Sequence, residues 1–208
     1  MRLTKFGHAC VRIEHDGQVI VIDPGVFTEP EAVDGATAVL VTHEHPDHWE
    51  AERLRRTDAV VETIAAVAGQ LPEDISERTL VHSPGGRPNI GVPTELVGEK
   101  HAVIYKDLPW FDNSGFLLDV AGTTVFHPGD ALTVPEKPVD LLLLPVSAPW
   151  LKVSECIDYA IAVGAPRNVA IHEGVYSEAG LGIAMGHLQR FLEPRGQEAV
   201  RLASGEDL

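Results

Sequence analysis

The segment His43-Glu44-His45-Pro46-Asp47-His48 places three imidazoles and the Asp47 carboxylate within six residues. Imidazole nitrogens and carboxylate oxygens are the donors with which proteins bind zinc and similar divalent ions. The run Thr37-Ala38-Val39-Leu40-Val41-Thr42 leads straight into them and reads as a short buried strand. In extended chain, residues two apart point to the same side, so His43 and His45 converge on one ion while Glu44 points away. Pro46 ends any ladder. Asp47 and His48 then open a helical pattern, turned through a different angle, and supply a second ion beside the first. A solvent-exposed, His-rich loop would use the same residues, but polar, metal-capable side chains directly beside an apolar strand are costly to place without a partner.

The elements that must position these residues follow from the hydrophobic pattern. Ala9 to Glu14 alternates, Asp16-Gly17 signals a hairpin turn, and Gln18 to Ile22 is a second strand. After Asp23-Pro24-Gly25 and the strand before His43, a short helix is expected over Trp49 to Arg56 and a strand over Ala59 to Val61. An Ala-rich helix is expected over Thr63 to Leu71, ended by Pro72. From Thr79 to Val125 the pattern is β-like, broken by the Ser83 to Asn89 loop, with a hairpin at Gly122 between Phe116-Leu117-Leu118 and Thr123 to Phe126. Val139 to Val146 reads as a fully buried strand and Val153 to Val163 as an amphipathic helix. A strand over Asn168 to Ile171, a helix over Ile183 to Leu192 and a strand over Ala199 to Leu202 complete the chain. Strands alternate with helices in both halves, which predicts sheets covered by helices in a layered α/β arrangement. No linker interrupts residues 1–208, so a single domain is expected.

One histidine cluster does not complete two metal sites, and the missing ligands are expected at similar strand ends. Val125-Phe126-His127-Pro128-Gly129-Asp130 and Val169-Ala170-Ile171-His172-Glu173-Gly174 both run from apolar residues into His or Asp and then a glycine-containing loop. Either alone would pass for a capped strand end; with the first cluster they form one candidate site.

His43-Glu44-His45-Pro46-Asp47-His48 matches the HxHxDH signature of the metallo-β-lactamase superfamily, and Gly129-Asp130 and His172 match its later ligand motifs. Gly7-His8-Ala9-Cys10, Ile22-Asp23-Pro24 and Phe126-His127-Pro128-Gly129-Asp130 resemble most the small metal-dependent hydrolases related to ascorbate-phosphate lactonase. The resemblance covers essentially the whole chain. It implies a four-layered αββα sandwich with the metals at one edge. It also implies that His43, His45 and a middle-region histidine bind the first ion, that Asp47, His48 and His172 bind the second, and that Asp130 bridges them. His101 lies in the segment and order expected for the middle ligand; His82 is the alternative, but it falls early and leads into the Pro/Gly loop. A di-iron redox relative would carry Glu at position 45, so His45 favours hydrolysis.

Two ions about 3.5–4 Å apart lower the pKa of a shared water and polarise the electrophile. The chemistry implied is attack by a metal-bridging hydroxide on a lactone or phosphodiester in a small substrate, neutral or anionic, with Asp47 orienting the nucleophile's proton. Zinc suits the donors, and manganese or iron fit the same ones. A non-catalytic metal-binding or sensing protein that kept the fold is the alternative, but it would normally lack a ligand, and every position is filled. His127 is expected behind Asp130 rather than on an ion, His8 either near the metals or as a structural hydrogen-bond partner, and His15 and His187 on the surface or a helix face. Trp110 and Trp150, in Pro-containing loops, would wall a pocket or anchor their loops.

Composition narrows the partners. Lys plus Arg is 16 against 31 Asp plus Glu, a net charge of −15 that repels nucleic acid. No apolar leader or membrane span is visible, and the two cysteines, Cys10 and Cys156, form no CxxC pair, so a reducing, cytoplasmic setting is expected. A small-molecule substrate is the expected partner, and the sequence is compatible with a homo-oligomer.

Overall fold

In the computed structural model, which describes residues 1–208, the chain starts with β1 (Arg2–Lys5), paired antiparallel to β2 (Val11–His15). β2 turns through Asp16-Gly17, both left-handed at φ 47° and 77°, into β3 (Gln18–Ile22). That conformation is the reason an Asp-Gly pair sits there. β4 (Ala38–Leu40) then adds parallel to β3. α1 (Ala51–Leu54) leads to β5 (Val60–Ile64), and α2 (Ala65–Ala68) and α3 (Glu73–Ser76) lead to β6 (Thr79–His82), both strands extending the parallel part. The first sheet therefore runs β1-β2-β3-β4-β5-β6.

The second half repeats this plan. β7 (Thr94–Val97), β8 (Gly115–Val120) and β9 (Thr123–His127) are antiparallel neighbours, the β8–β9 turn falling at Ala121-Gly122. β10 (Leu141–Pro145), β11 (Arg167–Ile171) and β12 (Glu198–Val200) add in parallel, with α4 (Val153–Val163) and α5 (Glu178–Leu192) as crossovers. The two sheets pack face to face. Leu141 and Leu143 of β10 enter the core between them with Val11, Ile13, Ile20, Ile22 and Phe116, whereas Leu142 and Leu144 point the other way, against Cys156, Tyr159, Leu181 and Leu188 under α4 and α5. Burial on both faces explains why β10 is an unbroken apolar run rather than an alternating one. The layered αββα expectation therefore holds, with an uneven outer layer: long helices cover the second sheet and four-residue helices the first. No helix is long and apolar enough to cross a membrane.

Several boundaries differ from those the sequence suggests. The helix expected over Thr63 to Leu71 is only Ala65–Ala68, because Thr63 and Ile64 end β5, where β-branched side chains pair between β4 and β6, and Gly69 closes the turn. The helix expected from Ile183 starts at Glu178, its end capped by the Ser177 hydroxyl accepting the Gly180 N–H at 3.2 Å. Its glycines at 180, 182 and 186 obscure that start. Ala9 and Cys10 lie outside β2, the helix near Trp49 is confined to Ala51–Leu54, and the last strand is Glu198–Val200. β1, which the pattern does not announce, is held from outside by the tail: the Thr4 hydroxyl donates to Asp207 at 2.6 Å.

Both cysteines are wholly buried, and burial pushes the Cys156 thiol up to about 12 and Cys10 higher still. Since the thiolate is the reactive form, a chromogenic disulfide reagent is expected to label neither in the native chain and both after denaturation. Rapid labelling of native protein would contradict this packing.

Candidate metal centre

The parallel strands of both sheets end at the same edge, where α/β proteins collect ligand-binding residues. From the first sheet, Asp23 follows β3 and His43, His45, Asp47 and His48 follow β4; from the second, Asp130 follows β9, Ser147 follows β10 and His172 follows β11. His101 arrives from the loop between β7 and β8, with its N–H on the Phe111 carbonyl at 3.0 Å and the neighbouring Ala102 N–H on the Asp130 carbonyl at 2.8 Å. Gly129 lets the β9 end pass close to β4: its φ is +63°, and a Cβ there would meet Asn113 Oδ1 at 2.3 Å and Thr42 Cβ at 2.8 Å.

Three imidazoles share one arrangement. The Nδ1 of His48 contacts Asp23 Oδ2 at 2.7 Å, that of His172 the Ser147 carbonyl at 2.5 Å, and that of His101 the Ala102 carbonyl at 2.5 Å. These acceptors hold a proton on Nδ1 and leave Nε2 as the nitrogen turned toward the cluster. Each of the three Nε2 atoms is buried without a hydrogen-bond partner, as is Asp130 Oδ1. They converge on the two oxygens of Asp130, His48 and His172 lying 3.1 Å from Oδ1 and His101 3.4 Å from Oδ2. His43 is held through Nδ1 by the Thr42 hydroxyl at 3.0 Å, and its Nε2 lies 3.1 Å from His45 Nδ1. Buried polar atoms without partners are expensive, and four of them pointing into one space fit a bound cation. The donor atoms of His43, His45 and His101 lie together, as do those of His8, Asp47, His48 and His172. The His43 and His48 rings, 4.0 Å apart between centroids, join the two groups.

The electrostatics suit that role. Burial drives His43 and His45 below the ordinary histidine value, reinforced by neighbouring imidazoles, so both are neutral and ready to bind. Burial also opposes charge on His48 and His172, but Asp130 with Asp23 lifts His48 well above its ordinary value, and Asp130 with Asp47 raises His172 to about 9. Asp130, despite complete burial, lies well below the usual carboxylate range because those imidazoles surround it. Ligation of a metal replaces the histidine protons with a cation.

All seven residues expected at the site, His43, His45, Asp47, His48, His101, Asp130 and His172, meet within this cluster. His82 does not; it lies on β6 with Nε2 2.5 Å from Glu62 Oε2. His127 stays behind the site, its Nε2 donating to the Ala9 carbonyl at 2.9 Å while Nδ1 accepts the Gly129 N–H at 3.1 Å. His187 is exposed and His15 half-buried, both away from the cluster. Trp150 is more than a wall: its indole N–H donates to Asp130 Oδ2 at 3.0 Å. Trp110 donates to the His101 carbonyl at 2.8 Å. Asp23 is the residue that sequence reasoning missed. It is fully buried, left-handed at φ 52°, and accepts the Thr42 N–H at 2.8 Å and the Thr42 hydroxyl at 2.7 Å besides His48. Its signals were an Asp directly after a strand, which reads as a turn, and the Ile22-Asp23-Pro24 resemblance, which assigned it no role.

The chain is similar to known proteins over most of its length. Residues 2–172 match the model of the beta-lactamase superfamily domain. Protein Rv0786c of Mycobacterium tuberculosis is 37% identical over 196 residues, covering 90% of this chain and 91% of that one. A UPF0173 metal-dependent hydrolase of Carboxydothermus hydrogenoformans is 30% identical over 220 residues, covering 89% and 95%. The structure of Igni18, a metallo hydrolase from the archaeon Ignicoccus hospitalis, superposes with a TM-score of 0.76 at 19% identity, covering 100% of this chain and 97% of that one. The chain thus belongs to the metallo-β-lactamase superfamily, among its metal-dependent hydrolases.

Proposed function

We propose that the chain is a binuclear hydrolase of lactone or phosphodiester bonds in a small substrate, of the kind related to ascorbate-phosphate lactonase. His43, His45 and His101 hold the first ion, Asp47, His48 and His172 the second, and Asp130 lies between them. Zinc is the first choice, with manganese or iron on the same donors. The observation that carries this reading is the set of buried Nε2 atoms, each fixed through its opposite nitrogen and aimed at Asp130, one carboxylate oxygen toward each group. When bound, two such ions would supply Lewis acidity to the scissile group and lower the pKa of a bound water to near neutrality.

The protein's own residues do the rest. Asp47 is the most exposed carboxylate of the cluster, its side chain 24% accessible, so it faces incoming substrate and orients the proton of an attacking water. Aromatic rings pack against the cluster, Phe27 against His8 at 5.2 Å and Phe111 against His45 at 4.7 Å between centroids, with Trp110 62% exposed and donating to the His101 carbonyl. Exposed aromatic surface beside polar donors suits a small organic molecule. The net charge of −15 disfavours a nucleic acid.

The test is to purify the chain without added metal and measure its metals by elemental analysis. The same sample is then assayed on bis(p-nitrophenyl) phosphate and a panel of lactones, with His45→Ala alongside. Close to two ions per chain, with turnover lost in the variant, is expected, and the preferred substrate names the bond. Metal without turnover on any substrate would instead indicate a metal-binding or sensing protein.

A further inference from the structure

His8 lies between β1 and β2, 1% exposed and left-handed at φ 59°. Its carbonyl accepts the N–H of His172 at 3.0 Å, and its ring packs on the His172 ring with centroids 3.8 Å apart. Its Nε2 is close enough to Asp47, His48 and His172 to join them as a ligand, and it lies 3.2 Å from Asp47 Oδ2. Ligand and hydrogen-bond donor are therefore the two roles open to it, and the far side of the ring distinguishes them. Nδ1 accepts the backbone N–H of Gly174 at 3.1 Å. A nitrogen that accepts a hydrogen bond carries no proton, so the ring proton sits on Nε2, which then donates to Asp47 and has no lone pair for a metal. The other imidazoles of this group are arranged the opposite way, with Nδ1 donating and Nε2 free.

We infer that His8 is a positioning residue: it donates Nε2–H to Asp47 and holds Asp47 and His172 in place for the second ion without binding that ion. This rests on the binuclear reading above. The surrounding chain is built around the same contact. Lys5, its side chain 1% exposed, donates from Nζ to Glu173 Oε1 at 2.8 Å and also contacts the Phe6 carbonyl, so residues 5–8 grip residues 172–174 at three points. A Cβ on Gly174 would meet His8 Nδ1 at 2.8 Å, which leaves room there for glycine alone.

Zinc affinity, measured by competition with a chromophoric chelator, tests this in wild type, His8→Ala, His8→Gln and Gly174→Ala. Residues outside the ligand shell that orient metal ligands contribute about 10- to 100-fold in affinity, and His8→Ala is expected to weaken the second zinc by that factor while leaving the first unchanged. His8→Gln, whose amide N–H reaches Asp47, is expected to recover most of the loss, and Gly174→Ala to reproduce part of it. In the long-range 1H–15N spectrum of the zinc-loaded chain, His8 is expected as the Nε2–H form. Two zincs held equally well by wild type and His8→Ala would overturn the positioning role alone, as would a His8 Nε2 resonance shifted by ligation. A wild-type chain that binds fewer than two ions would overturn the binuclear reading and this inference with it. Thermal melts of the same variants separate a loss of the second ion from a general loss of folding, and His8→Gln keeps the test open if His8→Ala does not fold.

Discussion

Asp130→Asn is expected to cut turnover by more than about 100-fold, beyond what loss of an orienting partner costs, and to leave the chain with fewer than two ions. The carboxylate lies between the two groups of donors, with His48 and His172 3.1 Å from one oxygen and His101 3.4 Å from the other. The asparagine keeps the shape, and its carbonyl still accepts the Trp150 indole N–H that binds Oδ2 at 3.0 Å. What disappears is the negative charge that offsets a cation in a wholly buried place, so the effect falls on metal binding more than on packing. Elemental analysis after dialysis, with the rate on the preferred substrate, checks this. A variant that retained two ions and the wild-type rate would remove Asp130 from the bridging role.

Asp23→Ala is expected to destabilise the chain by about 3–5 kcal/mol, the usual cost of removing one member of a buried pair. For a chain of this size that is roughly 10 °C in Tm. Three contacts go at once, those from His48 Nδ1 and from the Thr42 N–H and hydroxyl, and His48 loses the acceptor that fixes its orientation. Weaker zinc binding by about 10- to 100-fold should accompany the loss. Melts recorded with zinc and with chelator measure both effects; unchanged melts and metal content would show that Asp23 is peripheral.

Of these two residues the sequence discloses Asp130 but not Asp23. His43 to His48 was legible because six consecutive residues carry the donors and the preceding apolar run says they leave a buried strand. Asp130 and His172 were legible as strand ends of the same type. His101 could be preferred over His82 only by its order in the chain, since nothing local shows that the β7–β8 loop folds over the cluster. Asp23 meets its partners Thr42 and His48 at 19 and 25 positions away, and Trp150 reaches Asp130 across 20 positions, distances that no local pattern encodes. For the fold, the buried run of β10 and both hairpin turns were plain, whereas β1 depends on the tail beside it and the start of α5 hides behind three glycines.

The unequal distribution of donors also matters before the chain has folded. Four of the seven sit in one hexapeptide, while Asp130, His172 and His101 come from separate segments of the other half. An unfolded or nascent chain therefore already carries a short chelating sequence that competes for zinc. Affinity for the unfolded chain subtracts from the stabilisation that a metal gives the native one, so a saturating metal is expected to raise the melting temperature less than the affinity of the finished site would suggest. Refolding is accordingly expected to be cleanest when metal is supplied after the two sheets have met.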